Sequence, residues 1–501
     1  MRRAEIRLED AWLALCLIVQ AILLTHRLNL LPMWGDELFT VQAAGRPLGE
    51  LLAMVRGDVH PPLYFLLAHW WEALPFGDSP LLRARMLSVI FTLVATVALD
   101  RLWLKNTPRS VRMWCLALWT TSSCLLLYSR MARSYSLQVL LFIVVCRAAW
   151  RWREEITSSS RLLLWVASLA ALLYTHYVPG IAAWAGCMVL LLRRAGARRL
   201  LMANALVFVA YLPWLATLVS VVSIWQSKPG LLLVTNSRIL EAGVKLGYWG
   251  FSFLYGEAIP VWMLPVTALL AIPALWLLWM GARTARGWVL PAALTALIGF
   301  AGVAGWVSYA FGPARLLFLL PLALLAMAKG TQSGGRAGTV IAGALLAANL
   351  VGIVSYFGAR DLLNIGYLAP LESIARDIAS RSSPANTLVL VDGANLSGPV
   401  LEYYLPGFTT RQLFSAQDAD GVRLEIADPA IRRVWFLRNP HDITPGHALE
   451  RLENDLLRLR ESELHRYTPF SPTQKALMRA ANIQVSTDWL YVAWEFRDPT
   501  R

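Results

Sequence analysis

The sequence predicts a polytopic α-helical membrane protein carrying a smaller α/β domain at its C-terminal end, and three observations support this. Of its 501 residues, 57% are hydrophobic and only 16% charged, with a mean hydropathy of +0.51. Apolar runs of about 16–24 residues recur along the first two thirds, the length a helix needs to cross a hydrocarbon core ~30 Å thick. Charge is also divided unevenly: residues 1–356 hold 30 Lys and Arg against 14 Asp and Glu, a net of +16, whereas residues 357–501 hold 16 against 18, a net of −2. That contrast sets a domain boundary near Ser355–Arg360, with a membrane domain over 1–356 and a soluble domain over 357–501. The basic excess lies between apolar runs, so it is a topology signal and a poor fit to nucleic-acid binding.

Taken in order, the runs read as about eleven spans, near 11–31, 83–104, 111–128, 135–150, 161–177, 178–192, 199–222, 259–281, 288–311, 314–328 and 338–356. The first run lacks a small-residue cleavage site and is followed by more spans, so it reads as a span and not a removable leader. With the N-terminal "MRR" inside, alternate connections carry Arg101, Lys105, Arg109 and Arg112, then Arg147 to Arg161, "RRAGARR", Arg283 and Arg286, and finally Lys329 and Arg336. Nineteen of the 30 basic residues fall on that side, which the positive-inside rule makes cytoplasmic. The loops 31–82 and 222–258, and the C-terminal domain, then lie outside. The five cysteines (Cys16, Cys115, Cys124, Cys146, Cys187) sit inside apolar runs without paired or metal-like spacing, and read as packing residues.

In the first outward loop, "RPLGELLAMVRGD" places apolar residues at 48, 51, 52 and 55, the spacing of a short interfacial helix. "HPPLYFLLAHWWEALPF" follows, aromatic and too short to span, with a helix expected to begin at the Pro pair. In the last third, "NTLVLVD", "RRVWFLRN" and "DWLYVAWEFRD" read as strands and "HALERLENDLLRLRESE" as a helix. "DAD" at 418–420 reads as a polar turn.

Charges that topology does not explain are the informative ones. Eleven basic residues fall on the outward side, among them Arg83, Arg85, Arg130, Arg133, Lys228, Lys245 and Arg315, several at span ends. A charge at membrane depth is costly unless paired or facing a wet cavity, and Arg suits bidentate phosphate recognition. The plainer use of each is mutual pairing or snorkelling to headgroups. Opposite them stand outward acids, including the adjacent Asp36 and Glu37 in "LPMWGDELFT", right after the first span. A carboxylate there could take a proton from an acceptor hydroxyl while cations stabilise a departing phosphate. In "GDVHPPLYF", Asp58 and His60 could bind a divalent metal, although an Asp-x-His pair is more often joined by a hydrogen bond. "THYVPG", at 175–180, fits an ordinary interfacial belt of Tyr and His. No phosphate loop, GxGxxG after a strand or nucleophile elbow occurs, which disfavours an ATP-driven pump and a nucleotide-sugar donor.

The ordered set of Asp36-Glu37 after the first span, "DVHPPLYFLL", "RARMLSVIF", "SRMARSYSLQ", "THYVPG", "YLPWLATL" and "PARLLFLLPL" resembles the GT-C superfamily. The closer similarity is to its protein O-mannosyltransferase and lipid A aminoarabinose transferase branch, over most of residues 1–330. The resemblance implies a glycosyltransferase of the bacterial cytoplasmic membrane. It would move a sugar from a polyprenyl-phosphate donor to an acceptor hydroxyl on the outer face, with inversion. It implies Asp36 as general base, Glu37 in support, and Asp58 and His60 lining the same cavity, with a divalent cation (Mg or Mn) as a further expectation. Arg83 or Arg85, with Arg130, Arg133 or Tyr135, would face the donor phosphate or sugar, and Lys228 or Lys245 could supply a phosphate-binding lysine. Arg315 precedes Leu316 where the family often shows Arg-Tyr, a departure at that segment. The acceptor could be a glycan, a lipid or a protein hydroxyl. A transporter or flippase of lipid-linked saccharides is the alternative, disfavoured because no repeated halves appear. A non-catalytic scaffold would leave the Asp-Glu pair unexplained.

Overall fold

Helix starts follow local capping chemistry. The computed structural model describes residues 2–74, 77, 79–227, 237–306, 312–359, 361–392, 398–438, 448–467, 476 and 491–498. Helix α1 (Arg2–Thr25) is followed by α2 (Gly35–Ala44), α3 (Leu48–Arg56) and α4 (Leu63–Glu72). Helices α3 and α4 follow directly on Pro47 and Pro62, where a missing N–H costs a helix nothing. Helix α5 (Pro80–Ala98) opens with Pro80 and with Ser79 Oγ accepting the Leu82 N–H at 3.3 Å, then passes into a π-helical turn, Leu99–Leu104. After α6 (Arg109–Thr120), Ser122 caps α7 (Ser123–Ser129) by accepting the Leu125 N–H at 3.2 Å, and the pair bends by 52°.

Next come α8 (Tyr135–Glu154), α9 (Ser159–Leu173) and α10 (Tyr177–Ser227), the last broken at Gly196, whose φ of 64° is a left-handed conformation natural to glycine. The membrane part ends with α11 (Arg238–Tyr255), α12 (Leu264–Thr284), α13 (Arg286–Ala301), a 3-10 turn Pro313–Leu319 running into α14 (Leu320–Ser333), and α15 (Gly335–Phe357). Helices α12 and α14 cross backbone to backbone. A Cβ at Gly281 would meet the Ala326 carbonyl at 1.7 Å, and one at Gly330 the Leu277 carbonyl at 1.9 Å, the small-residue contact by which membrane helices associate. The opposite side of α12 leaves Leu269 and Ile272 open, as a lipid-facing surface should be.

Over the described residues each predicted apolar run falls on a helix; residues 307–311 of the run near 288–311 lie outside them. By length and apolarity, however, seven of the described helices qualify as spans, or eight when the bent α6–α7 pair counts as one. The runs near 135–150, 161–177 and 178–192 form helices whose polar ends or shorter length leave them below that mark.

The chain divides into two compact units, Met1–Leu28 with Thr40–Tyr356, and Asn29–Phe39 with Phe357–Arg501. The segment bearing Asp36 and Glu37 therefore packs with the second unit, although the sequence alone places it in the membrane part. In that unit α16 (Leu371–Arg381) precedes β1 (Thr387–Asp392), α17 (Gly398–Tyr404), β2 (Thr409–Leu413), α18 (Ala416–Ile426), β3 (Arg433–Arg438), α19 (Ala448–Leu459), β4 (Glu461–Tyr467) and β5 (Tyr491–Arg497). The sheet runs β2-β1-β3-β5-β4, with β1 parallel to β2 and β3, and β5 antiparallel to β3 and β4. Leu388, Leu390, Val434, Phe436 and Phe496 bury one face against Val422 of α18 and Leu449, Leu452 and Leu456 of α19. The predicted strands form over their described residues, and the predicted helix forms as far as Leu459, beyond which Glu461–Glu463 belong to β4; residues 439, 447 and 488–490 of these stretches lie outside the described residues. The "DAD" turn does not form: Asp418 and Asp420 lie in α18, because Ser415 Oγ accepts the Asp418 N–H at 3.2 Å and Asp418 Oδ2 accepts the Phe414 N–H at 2.9 Å, a reciprocal cap.

Candidate active site at four helix starts

His60, Arg133, His176 and Arg315 each sit at the N-terminal edge of a helix. His60 precedes α4 by three residues, Arg133 lies just before Ser134, the residue at the N-cap position of α8, His176 immediately precedes α10, and Arg315 is in the first turn of the 3-10 segment that feeds α14. These edges meet. Arg133 Nη2 donates to His60 Nε2 at 2.9 Å. The His60 and His176 rings are 6.1 Å apart, edge to face. Arg133 and Arg315 both act electrostatically on His176. The turn holding His176 is tied to α4 because Tyr174 O accepts the Leu63 N–H at 2.9 Å. Two guanidiniums and two imidazoles gathered at these edges form a cationic, donor-rich place that favours an anion.

The hydrogen bonds assign the imidazole protons. His60 Nε2 accepts from Arg133, so its proton is on Nδ1, which donates to Asp58 Oδ2 at 2.6 Å. His176 Nδ1 accepts the Val178 N–H at 3.3 Å, so its proton is on Nε2. Burial alone would raise the Asp58 carboxyl, but the hydrogen bond from His60, with the nearby Arg133 charge, holds it below its ordinary value. His176 is buried beside Arg133 and Arg315, whose positive charges disfavour a second proton on its ring. Arg133 is 3% exposed and is fixed from behind by Ser88 Oγ, which donates to its carbonyl at 3.2 Å and is itself bonded to Tyr64 OH at 3.1 Å.

The other sequence-nominated cations have more local work. Arg83 pairs with Glu72, Nε to Oε2 at 2.9 Å with a second contact from Nη2 to Oε1. Arg85, 2% exposed, donates to Leu28 O at 3.0 Å. Arg130 caps the C-terminal end of α1, donating to Leu23 O and His26 O at 2.8 Å and also to Arg27 O, with its guanidinium 5.1 Å from the Tyr356 ring. Tyr135 opens α8 and packs edge-on against Tyr128. Lys245 lies on α11, paired with Glu241 at 2.5 Å and donating to Ala304 O at 3.0 Å. Lys228 is outside the described residues. Asp36 and Glu37 occupy the first turn of α2, and Glu37 is fully buried.

As for a cation at Asp58 and His60, both imidazole nitrogens are already engaged, and a metal would have to displace the Arg133 guanidinium. Among the described residues, three metal-capable side chains converge instead at Glu463, His465 and Glu495 in the sheet domain. There Arg497 grips Glu495 at 2.8 and 2.9 Å, and Arg433 and Arg381 approach it at 3.4 and 3.9 Å, so that group is an ion-pair network. His176, which now stands in the cluster, was assigned to an interfacial belt by the sequence alone. The available signal was that "HPP" and "HYVP" both place His just before a Pro-marked helix start.

No family model and no curated protein matches the chain. Solved structures do. Apo ArnT from Cupriavidus metallidurans aligns over 98% of both chains at TM-score 0.55 and 12% identity. The same enzyme bound to undecaprenyl phosphate aligns over 97% of both at 0.51 and 13%. The oligosaccharyltransferase AglB from Archaeoglobus fulgidus, in complex with an inhibitory peptide and a dolichol-phosphate, aligns over 93% of this chain and 73% of its own at 0.52 and 10%. At such identities the likeness is one of fold.

Proposed function

We propose that this protein is a membrane glycosyltransferase that transfers a sugar from a polyprenyl-phosphate donor to an acceptor hydroxyl at the outer face of a cytoplasmic membrane. The observation that carries this is the meeting of Arg133, Arg315 and two imidazoles at four helix N-termini within a GT-C fold. It is a place suited to a phosphate, at the span ends that the basic loops assign to the outside. Neighbouring folds solved with undecaprenyl phosphate and with a dolichol-phosphate support a lipid-linked ligand.

In the proposed step the acceptor oxygen attacks the anomeric carbon, the bond from that carbon to the phosphate oxygen breaks, and polyprenyl phosphate leaves. Asp36 takes the acceptor proton, and Glu37 supports the base. Arg133 and Arg315 offset the charge that develops on the leaving phosphate. His60, held by Asp58, positions Arg133, and Arg83, Arg85 and Arg130 fix the helix ends around it. Attack from the face opposite the phosphate inverts the anomeric centre.

Asp36→Asn, in the purified full-length protein with a radiolabelled lipid-linked sugar, should lower transfer by about 10²–10⁴-fold while leaving donor binding within a few-fold. Near-normal turnover would remove Asp36 from the mechanism. Movement of labelled lipid across vesicles with no release of polyprenyl phosphate would replace the transferase with a flippase.

A further inference from the structure

We infer that His176 is a phosphate-binding residue, its Nε2–H donating to an oxygen of the lipid-linked phosphate alongside Arg133 and Arg315. The inference rests on the transferase reading above and adds a residue and a ligand atom to it. His176 is 8% exposed, and a buried imidazole ordinarily has both nitrogens satisfied. Here the Val178 N–H occupies Nδ1, which leaves the proton on Nε2, and Nε2 makes no hydrogen bond among the described residues.

The ring cannot swing away easily. It stands edge-on against His60, and its own carbonyl accepts the Gly180 N–H at 3.2 Å in the first turn of α10. The two imidazoles thus have opposite tautomers and different work. His60 spends both nitrogens inside the protein to hold Arg133, while His176 spends one on its helix and keeps one donor. A neutral donor beside two guanidiniums suits a group with several acceptor oxygens. Arginine forks bind two of them with charge, and a fixed N–H binds another without adding repulsion between cations.

The test uses the full chain in lipid nanodiscs. Affinity is measured for a short-chain polyprenyl phosphate, for the polyprenyl alcohol of the same length, and for inorganic phosphate as a competitor. His176→Ala should weaken polyprenyl phosphate binding by about tenfold, the loss of one hydrogen bond to a charged group, and leave the alcohol unchanged. His176→Gln, which keeps a donor at similar reach, should recover most of the loss, and His176→Phe, which keeps the ring without a donor, should not. Competition by inorganic phosphate in the wild type but not in the Phe variant would assign recognition to the phosphate and not to the lipid chain.

If His176→Ala does not fold, the Gln and Phe pair decides, and equal affinity in those two overturns the inference. Wild-type affinity in His176→Ala with a clear loss in Arg133→Ala also overturns it, and leaves the transferase reading standing. Wild-type affinity in both variants would remove the phosphate site altogether.

Discussion

Arginines gather at both ends of α1 and α5, and the partners described for them differ between the two ends. At the start of α1 and the end of α5, Arg112 grips Asp100 through two hydrogen bonds of 2.6 and 2.7 Å and also contacts Glu9, while Arg101 donates to Asp10 at 2.7 Å. Asp100 is fully buried and Arg112 is 4% exposed. At the other end, Arg130 and Arg85 donate to backbone carbonyls and Arg133 to a neutral imidazole. A carboxylate partner both positions a guanidinium and offsets its charge. The first arrangement is a joint between helices, and the second sets Arg133 beside His60 at the proposed phosphate site. Arg83 with Glu72 shows that this second end also contains a joint of the first kind.

The sharpest way to break this comparison is to remove one arginine from each end. Arg112→Ala leaves the buried Asp100 carboxylate without its bidentate partner, and should destabilise the protein by about 3–5 kcal/mol. The purified variant should show a fall in melting temperature with donor affinity little changed in what remains folded. Arg133→Ala should do the reverse, weakening polyprenyl phosphate binding by about 10–100-fold through loss of a charge-assisted hydrogen bond and lowering the melting temperature less. If the two variants lose stability equally and neither loses affinity, the division between joint and ligand site is wrong.

A smaller effect separates Asp58 from the arginine it indirectly holds. The folded Asp58 carboxyl titrates below its ordinary value near 3.8, so its contribution to stability is complete above that value and disappears as pH falls through the lower, folded one. Asp58→Asn removes that contribution. Its melting temperature should therefore lie below wild type at pH 7, with the gap closing toward pH 3. A gap that widens on acidification would mean that the carboxyl is not stabilised by His60. Donor affinity should fall only a few-fold in this variant, because an amide oxygen can still accept the His60 Nδ1–H.

What the sequence disclosed, and what it hid, follows from how far each signal reaches. The apolar runs, the Pro-marked starts of α3 and α4 and the strands β1, β3 and β5 are local patterns, and they were legible. Strands β2 ("TTRQL") and β4 ("ESELHRY") were not, because both lie at the sheet edges, expose much of their length and lack the apolar alternation that marks a buried strand. The capping use of Arg130 was hidden for another reason: its carbonyl partners lie more than 100 residues away in sequence. The mutual hydrogen bond of Asp58 and His60 was one of two uses the spacing allowed, but the Arg133 guanidinium on the far nitrogen could not be inferred from spacing. His176 looked ordinary because histidine at a membrane interface is common, and only the meeting of four helix starts gives it a task.

The smallest expected effect is a null one, and it bears on the same comparison. Magnesium or manganese at Asp58 and His60 was the less favoured of the two readings of that pair, and a cation there would make the cluster a metal site instead of an arginine site. With Asp58 on Nδ1 and Arg133 on Nε2, His60 offers no lone pair to a metal unless the guanidinium moves away. Two groups competing for one nitrogen make a direct experiment. Treatment with a chelator should leave transfer by the purified protein within about twofold, and added manganese should not broaden the His60 ring resonances in a selectively labelled sample. If activity is lost on chelation and recovers with manganese, and Arg133→Ala tightens the metal, then His60 exchanges Arg133 for a cation during turnover, and the cluster holds its phosphate through that ion as well as through arginine.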